Sequence, residues 1–227
     1  MMPLPEPPSG LLQGGFIVLG IFVVVMFPLA LRSWRFGVGG AIWLVATGAI
    51  GSSGWLADFS STPPRIVLLF VPAFIVTAGL VYSKFGDRLV ALPLAFLIGF
   101  QAFRIPVELL IHLAFKEGVA PEQMTWSGLN LDVLTGISAL IVVPFLRKIP
   151  RWGILLWNSV GLFLLIWVVS VAVLSMPTSF QRLEPDNIWV AYFPFIWLPM
   201  IAVTAALAGH LAVFRKVFAK SQHEHDI

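Results

Sequence analysis

"GGFIVLGIFVVVMFPLAL" (residues 14–31) is a run of apolar residues and glycine with a single proline and no charge. A run of this length spans the hydrocarbon core of a bilayer as one α-helix. The whole chain has the same character, since 59% of its residues are hydrophobic, 11% are charged and the mean hydropathy is +0.94. A soluble domain of 227 residues needs more charge to cover its surface. The stretch therefore predicts an all-α, polytopic membrane protein embedded in a lipid bilayer.

Further apolar stretches predict a bundle of seven transmembrane helices. The predicted spans are residues 14–31, 37–56, 66–82, 89–115, 129–146, 154–174 and 188–214. Charged and turn-forming residues separate them. We expect a single transmembrane domain over residues 1–227, with an outer tail at 1–13 and a cytoplasmic tail at 215–227. The opening "MMPLPEPPSG" lacks the basic segment of a cleavable signal peptide, so we expect it to be retained.

The basic residues between the spans predict the orientation. Ten of them fall on one side of a seven-span arrangement and three on the other. The larger group is Arg32, Arg35, Lys84, Arg88, Arg147, Lys148, Arg151, Arg215, Lys216 and Lys220, and the smaller is Arg65, Lys116 and Arg182. Because basic loops stay in the cytoplasm, we expect an outside N-terminus and a cytoplasmic C-terminus in the plasma membrane, or the inner membrane of a bacterium. A net charge of +3, dispersed in this way, does not favour nucleic-acid binding.

Four polar residues share one face of the predicted span 89–115. Gln101, Arg104, Glu108 and His112 follow one another in steps of three, four and four. A lone charge in hydrocarbon costs a few kcal/mol on insertion scales. We therefore predict that Arg104 and Glu108 form an ion pair that faces the interior of the bundle.

The next predicted span begins with two more polar residues, Asn130 and Asp132, beside the outer end of the same helix. We expect these two residues to converge with Gln101, Arg104, Glu108 and His112 on a polar cavity that opens outward. One interpretation is a purely structural network: a buried ion pair, a helix cap and an interfacial histidine. The other is a binding site for a small polar solute or an ion.

Two pairs of segments indicate an internal repeat. Residues 28–38 align without gaps on 144–154, and residues 71–80 on 198–207. The alternative is a chance match between apolar sequences. A true repeat gives two parallel triple-helix units joined by a single helix, a 3+1+3 plan. This plan resembles the SWEET and PQ-loop transporters, although Leu29 and Phe145 stand where the PQ-loop motif has glutamine.

A second resemblance rests on "FRIPVELLIHLAFKEGVAPEQMTWSGLNLD" (residues 103–132) and "PFIWLPMIAVTAALAGHL" (residues 194–211). These stretches resemble a pattern found in bacterial seven-helix integral membrane proteins. The resemblance implies the membrane location and no particular activity.

The residue inventory excludes two kinds of seven-helix protein. A retinal pigment needs a lysine in the last span, and residues 188–214 contain none. Ceramidase-type hydrolases typically hold zinc with three histidines; here His112 and His210 are predicted near opposite faces of the membrane, and His223 and His225 lie in the tail. We expect His210 to be a polar anchor at the inner interface. A metal site of Glu108, His112 and Asp132 remains an alternative.

These observations favour a protein that binds or transports a small solute. The alternatives are a membrane sensor or complex subunit without transport, and a membrane-embedded metal-dependent enzyme. The sequence contains no recognisable catalytic motif, and we expect no cofactor.

Overall fold

The computed structural model describes Leu4 and residues 6–225, with side chains described as far as residue 219. The protein is all-α, as predicted: 74% of it is helical, and its described part contains no strand. The α-helices are α1 (Gly10–Leu31), α2 (Trp34–Ser52), α3 (Arg65–Tyr82), α4 (Lys84–Ala91), α5 (Leu94–Phe100), α6 (Arg104–Lys116), α7 (Val133–Phe145), α8 (Arg151–Leu174) and α9 (Thr204–His225).

Within the part of the chain that the structure describes, five helical segments are long and apolar enough to cross a membrane. They are α1, α3, α8, the segment Leu94–Lys116 that contains α5 and α6, and the segment Leu198–Ala219 that contains most of α9. Two predicted spans do not meet both conditions. The first corresponds to α2, which has 19 residues but is less apolar. The second corresponds to α7, whose 13 residues are fewer than the roughly 20 that a straight span needs.

The predicted span 89–115 is interrupted in the structure. The short helix α4 ends at Ala91, and α5 begins only after Pro93. Proline lacks the amide N–H that a helix requires and disfavours helical geometry in the residue before it. A 3₁₀ turn, Gln101–Phe103, then joins α5 to α6, just before Pro106. The candidate crossing segment therefore begins at Leu94 and contains a 3₁₀ turn just before Arg104.

The last span also begins later than predicted. Residues 189–196 form a 3₁₀ turn (Trp189–Ala191), a bend and a further turn. A π-helical segment, Leu198–Val203, follows and leads directly into α9. The helix continues past the predicted end at residue 214 as far as His225. Of the predicted tails, residues 1–3, 5, 226 and 227 lie outside the described residues.

Polar contacts tie the helices together at both ends of the bundle. Ser9, which precedes α1, donates from its backbone N and its Oγ to the Glu117 carboxylate at 2.8 and 2.6 Å. We call this the Ser9 end. At the opposite end, Arg215 of α9 donates to the Val81 carbonyl at 2.7 Å and forms an ion pair with Asp87. We call this the Arg215 end.

The outer surface of the bundle is apolar. On α1 the exposed large side chains include Leu11, Val18, Ile21, Phe22, Val25 and Leu29. On α8 they include Leu156, Val160, Phe163, Ile166 and Trp167. Arg104 and Glu108, by contrast, are only 1% and 2% exposed. An apolar exterior around buried charges is the arrangement expected of a protein surrounded by lipid.

The buried apolar residues form two clusters. The larger includes Phe16, Trp189 and Phe195 and packs α1 against the turns before the last span. The smaller includes Leu97 and Val213 and lies toward the Arg215 end. Of the buried charged residues, Arg104 and Glu108 lie on α6 and Asp132 directly precedes α7.

Candidate functional site

Arg104 is the centre of the buried polar network. It is the first residue of α6, and its guanidinium bonds three other elements. Its Nη1 donates to Asp132 Oδ1 at 2.7 Å and to the Gly161 carbonyl at 3.4 Å. Its Nη2 lies 3.1 Å from His210 Nε2. Arg104 therefore links α6 to the start of α7, to α8 and to α9.

The hydrogen bonds around His210 define its tautomer. Because a guanidinium can only donate, His210 Nε2 must accept from Arg104. The proton of the neutral ring then lies on Nδ1, which is 2.8 Å from Asn158 Oδ1. The Asn158 amide nitrogen in turn donates to the His210 carbonyl at 3.0 Å. In this series of hydrogen bonds each donor meets an acceptor: Arg104 donates to Nε2, Nδ1 donates to Asn158, and Asn158 donates to the His210 carbonyl. His210 is therefore a neutral acceptor for Arg104.

Glu108 has a different partner. The Asn130 amide nitrogen lies 2.8 Å from both of its carboxylate oxygens and also donates to the Met124 carbonyl at 2.9 Å. The Asn130 side-chain oxygen accepts from the Asp132 backbone N at 2.9 Å. Asn130 thus holds the segment before α7 against α6 and supplies a side-chain donor to Glu108.

The predicted Arg104–Glu108 ion pair is wrong. Arg104 forms its ion pair with Asp132 instead. The expectation that Asn130 or Asp132 lies within reach of Arg104 and Glu108 is confirmed, because Asp132 pairs with Arg104 and Asn130 bonds Glu108. The reason lies in the loop between α6 and α7, which returns Asp132 to the level of Arg104. Asp132 precedes α7 without capping it through its side chain, so its carboxylate is available to Arg104.

Gln101 and His112 are not part of the network around Arg104. The Gln101 amide donates to the Ala206 carbonyl at 3.2 Å, which places its side chain against α9. His112 lies further along α6, where its ring stacks on Trp126 with a centroid distance of 4.3 Å. The shared face therefore divides: Arg104 and Glu108 meet the α6–α7 loop, whereas Gln101 meets α9.

Sequence reasoning missed two members of the network, Asn158 and His210. The prediction of His210 as an interfacial anchor is wrong, because the last span begins at Leu198 rather than at residue 188. This shift brings His210 to the middle of the candidate span Leu198–Ala219, at 0% exposure. One sequence signal for Asn158 did exist, since it is an amide inside the otherwise apolar α8.

A cavity that is partly open to the surroundings lies against this network. Arg104, Glu108 and Asp132 contribute to its lining. The rest of the lining is apolar and comes mainly from α3, α6, α8 and the last span. This differs from the predicted cavity, which was polar and lay between the fourth and fifth spans. The observed cavity is an apolar chamber with charged groups at one wall.

Buried polar atoms without a protein partner lie in the network and on the adjoining elements. Arg104 Nε, Gln101 Oε1 and Thr135 Oγ1 are buried and form no hydrogen bond within the described part of the chain. Because Arg104 also lines the cavity, its free N–H is a donor that a bound molecule can use. Buried groups of this kind are usually paired, which distinguishes this region from an ordinary core.

The described residues contain no group of three His, Cys, Asp or Glu side chains that can hold a metal ion. The alternative set of Glu108, His112 and Asp132 is divided, because His112 stacks on Trp126. Glu108 and Asp132 line the cavity together without it. The side chains that line the cavity can therefore recognise a ligand by hydrogen bonds and charge. They do not form the predicted metal site of Glu108, His112 and Asp132.

Comparisons with protein-family models, curated proteins and solved structures gave no significant match.

Proposed function

We propose that this protein is a seven-span membrane protein that binds a small molecule in the cavity beside Arg104, Glu108 and Asp132. One observation carries the proposal: three ionisable side chains line one wall of a largely apolar cavity. Charges inside a membrane are costly, and they commonly mark ligand or ion sites. A chamber with apolar walls and a few polar groups is also the usual form of a small-molecule site.

The network holds its charged groups in fixed positions. Arg104 bonds Asp132, Gly161 and His210, and Asn130 bonds Glu108. A site held by several helices is preorganised, so binding costs little side-chain entropy. This supports a role in recognition beyond a single structural ion pair.

We place the protein in the plasma membrane, or in the inner membrane of a bacterium. In the proposed orientation the Ser9 end lies outside and the Arg215 end lies in the cytoplasm. Seven crossings count α2 and α7 as spans beside the five long apolar segments. Basic residues are concentrated in the connections on the Arg215 side, which supports this orientation.

Binding without transport is the form that the geometry supports best. The smaller core cluster fills the bundle toward the Arg215 end with apolar side chains such as Leu97, Ala212 and Val213. The charged groups of the cavity lie above it, and a carrier would need polar groups on both sides. We therefore propose a membrane sensor or a ligand-binding subunit, and we assign no catalytic role.

Small-solute transport is the second candidate, and it is the function that the predicted 3+1+3 repeat would favour. Pro28 lies in the last turn of α1, and its predicted counterpart Pro144 lies in the last turn of α7. If transport is the function, the two triple-helix units should superpose about an axis along the membrane normal. The cavity should also open alternately to each side of the membrane as the two units move.

Cysteine labelling tests the orientation cleanly, because the natural chain has no cysteine. We expect a membrane-impermeant maleimide to label Ser179→Cys in intact cells and to label Arg147→Cys only after lysis. The reverse pattern would show that the proposed orientation is inverted. Labelling of both positions in intact cells would contradict the seven-span arrangement.

Ligand binding is tested by comparing the small molecules that copurify with wild type and with Ala172→Phe. Ala172 lines the cavity and is half-buried, so a phenyl ring there occupies the chamber. Ala78→Phe is the matched control, since Ala78 is a half-buried alanine of α3 outside the cavity lining. We expect a compound that is retained by wild type and by the control and lost from Ala172→Phe. Equal retention by all three proteins would refute the cavity as the site.

A further inference from the structure

The walls of the cavity do not suit a hydrophilic solute. Away from the charged groups they consist of side chains such as Val67 and Phe70 of α3, Val168 and Ala172 of α8, and Pro199 and Val203 of the π-helical segment. A sugar or an amino acid in contact with these walls would lose its hydration without compensating hydrogen bonds. An apolar chain or ring system, by contrast, gains free energy from the same contact.

The cavity also lies beside the lipid-facing surface. The lining residues Val67, Phe70 and Ala172 are only half-buried. Val71, next to Phe70, and Ile166, one helical turn from the lining residue Val169, are exposed large apolar residues, at 46% and 56%. The apolar lining is therefore continuous with the apolar surfaces of α3 and α8. A molecule dissolved in the bilayer can reach the chamber between these helices without crossing water.

The polar wall favours a group that donates hydrogen bonds. It contains two carboxylates, Glu108 and Asp132, and one guanidinium. Arg104 already donates to Asp132, to the Gly161 carbonyl and to His210, which leaves two of its five N–H groups, the Nε–H and the second Nη2–H, without a bond among the described residues. Glu108 receives the single amide group of Asn130 on two oxygens, so it retains capacity to accept.

An anionic head group fits this wall poorly. A phosphate or carboxylate would face two carboxylates, Glu108 and Asp132, and a single guanidinium that is already paired with Asp132. An ammonium or a hydroxyl group instead donates to Glu108, and a hydroxyl oxygen can also accept. Charge complementarity therefore selects a cationic or neutral donor over an anion.

We infer that the cavity binds an amphiphile from the bilayer, an apolar molecule whose amine or hydroxyl head group donates to Glu108. The inference rests on the proposed binding function and specifies its ligand class. It differs from the small polar solute that the sequence suggested, because the apolar walls exclude such a solute.

Dodecylamine and dodecanol carry the two head groups, and dodecanoic acid is the anionic counterpart of the same chain length. Saturable binding of radiolabelled dodecylamine is measured on the full chain in phosphatidylcholine nanodiscs, with protein-free nanodiscs as the partition control. We expect dodecylamine to bind, dodecanol to displace it, and dodecanoic acid to be ineffective. Methylamine should also be ineffective, because it has the head group without the chain.

Two variants connect the binding to the structure. Glu108→Gln removes the charge and should weaken dodecylamine binding about tenfold or more, the worth of a charge-assisted hydrogen bond. Ala172→Phe should abolish saturable binding, whereas Ala78→Phe should bind like wild type. If Glu108→Gln does not fold, Ala172→Phe with its control decides the location of the site.

Other results would overturn the inference. Dodecanoic acid binding as tightly as dodecylamine would refute the head-group assignment, and methylamine binding alone would refute the amphiphile. Absence of saturable dodecylamine and dodecanol binding would refute the ligand class as a whole. The copurification experiment separates this failure from that of the proposed function: a hydrophilic or anionic compound lost from Ala172→Phe would support a binding cavity and exclude a donor amphiphile as its ligand.

Discussion

Disrupting the Arg104–Asp132 pair should destabilise the protein strongly. The atoms of the pair are 2.7 Å apart, and the two side chains are 2% and 8% exposed. Arg104→Met leaves a buried carboxylate without its cation, and Asp132→Asn leaves a buried guanidinium without its anion. Each change should cost about 3–5 kcal/mol of unfolding free energy, the usual cost of leaving one buried charge uncompensated.

A double-mutant cycle isolates the interaction between the two residues. The cycle is needed because Arg104→Met also removes the hydrogen bonds to His210 and Gly161. Since the single variants each remove the same ion pair, their costs should not add, and the coupling should reach about 2 kcal/mol or more. The corresponding cycle with Glu108→Gln should give a clearly smaller coupling, because Arg104 pairs with Asp132 instead.

The assay is reversible unfolding in mixed detergent micelles, followed by circular dichroism. The control is the pair of Arg65 and Asp58, which has nearly the same separation, 2.8 Å, but side chains that are 34% and 24% exposed. Its coupling should be about 0.2–1 kcal/mol, as for other exposed pairs. The reasoning fails if the Arg104 and Asp132 variants are as stable as wild type. It also fails if the buried pair couples no more strongly than the exposed one.

Three further predictions concern the surroundings of this pair. Gly161→Ala should destabilise the protein by about 1–3 kcal/mol in the same unfolding assay, because a Cβ there would lie 2.6 Å from His210 Cε1; a neutral effect would mean that α8 and α9 are not this close. His210→Phe should cost a similar amount, about 1–3 kcal/mol, since it removes the side-chain partners of Arg104 Nη2 and Asn158 Oδ1; unchanged stability would contradict a buried, bonded imidazole. His112→Ala should leave the dissociation constant of dodecylamine within about twofold of wild type, as it lies outside the cavity lining; a tenfold loss in the nanodisc assay would place this ring in the site.

Hydropathy predicted the fold class well because a membrane helix satisfies its own backbone hydrogen bonds and exposes its side chains to lipid. That rule is local, so the apolar runs of α1, α3 and α8 are visible in sequence. Boundaries were less predictable where proline interrupts the helix. Pro93 separates α4 from α5, and the last span begins only at Leu198, although apolar residues continue on both sides.

The candidate site was predictable in part. The spacing of Arg104 and Glu108 indicated buried charges in one helix, and Asn130 and Asp132 were correctly expected nearby. The choice of partners was not predictable from that spacing. Arg104 and Glu108 lie one turn apart, but each bonds a residue of the α6–α7 loop instead, Asp132 and Asn130 respectively. The path of a loop depends on everything packed around it.

By itself, the sequence determined that this chain is all-α, that its helices are apolar enough for a membrane, and that one of them carries buried charges. The first two properties follow from composition and from the length of the apolar segments. The third follows from the helical period, which sets which residues share a face within one or two turns. Only the tertiary structure decided that Arg104 pairs with Asp132, that His210 reaches it from α9, and that the adjacent cavity is mainly apolar. The physical reason is distance along the chain: His210 lies 106 residues from Arg104, and only the packing of α6, α8 and α9 brings their side chains within hydrogen-bonding distance.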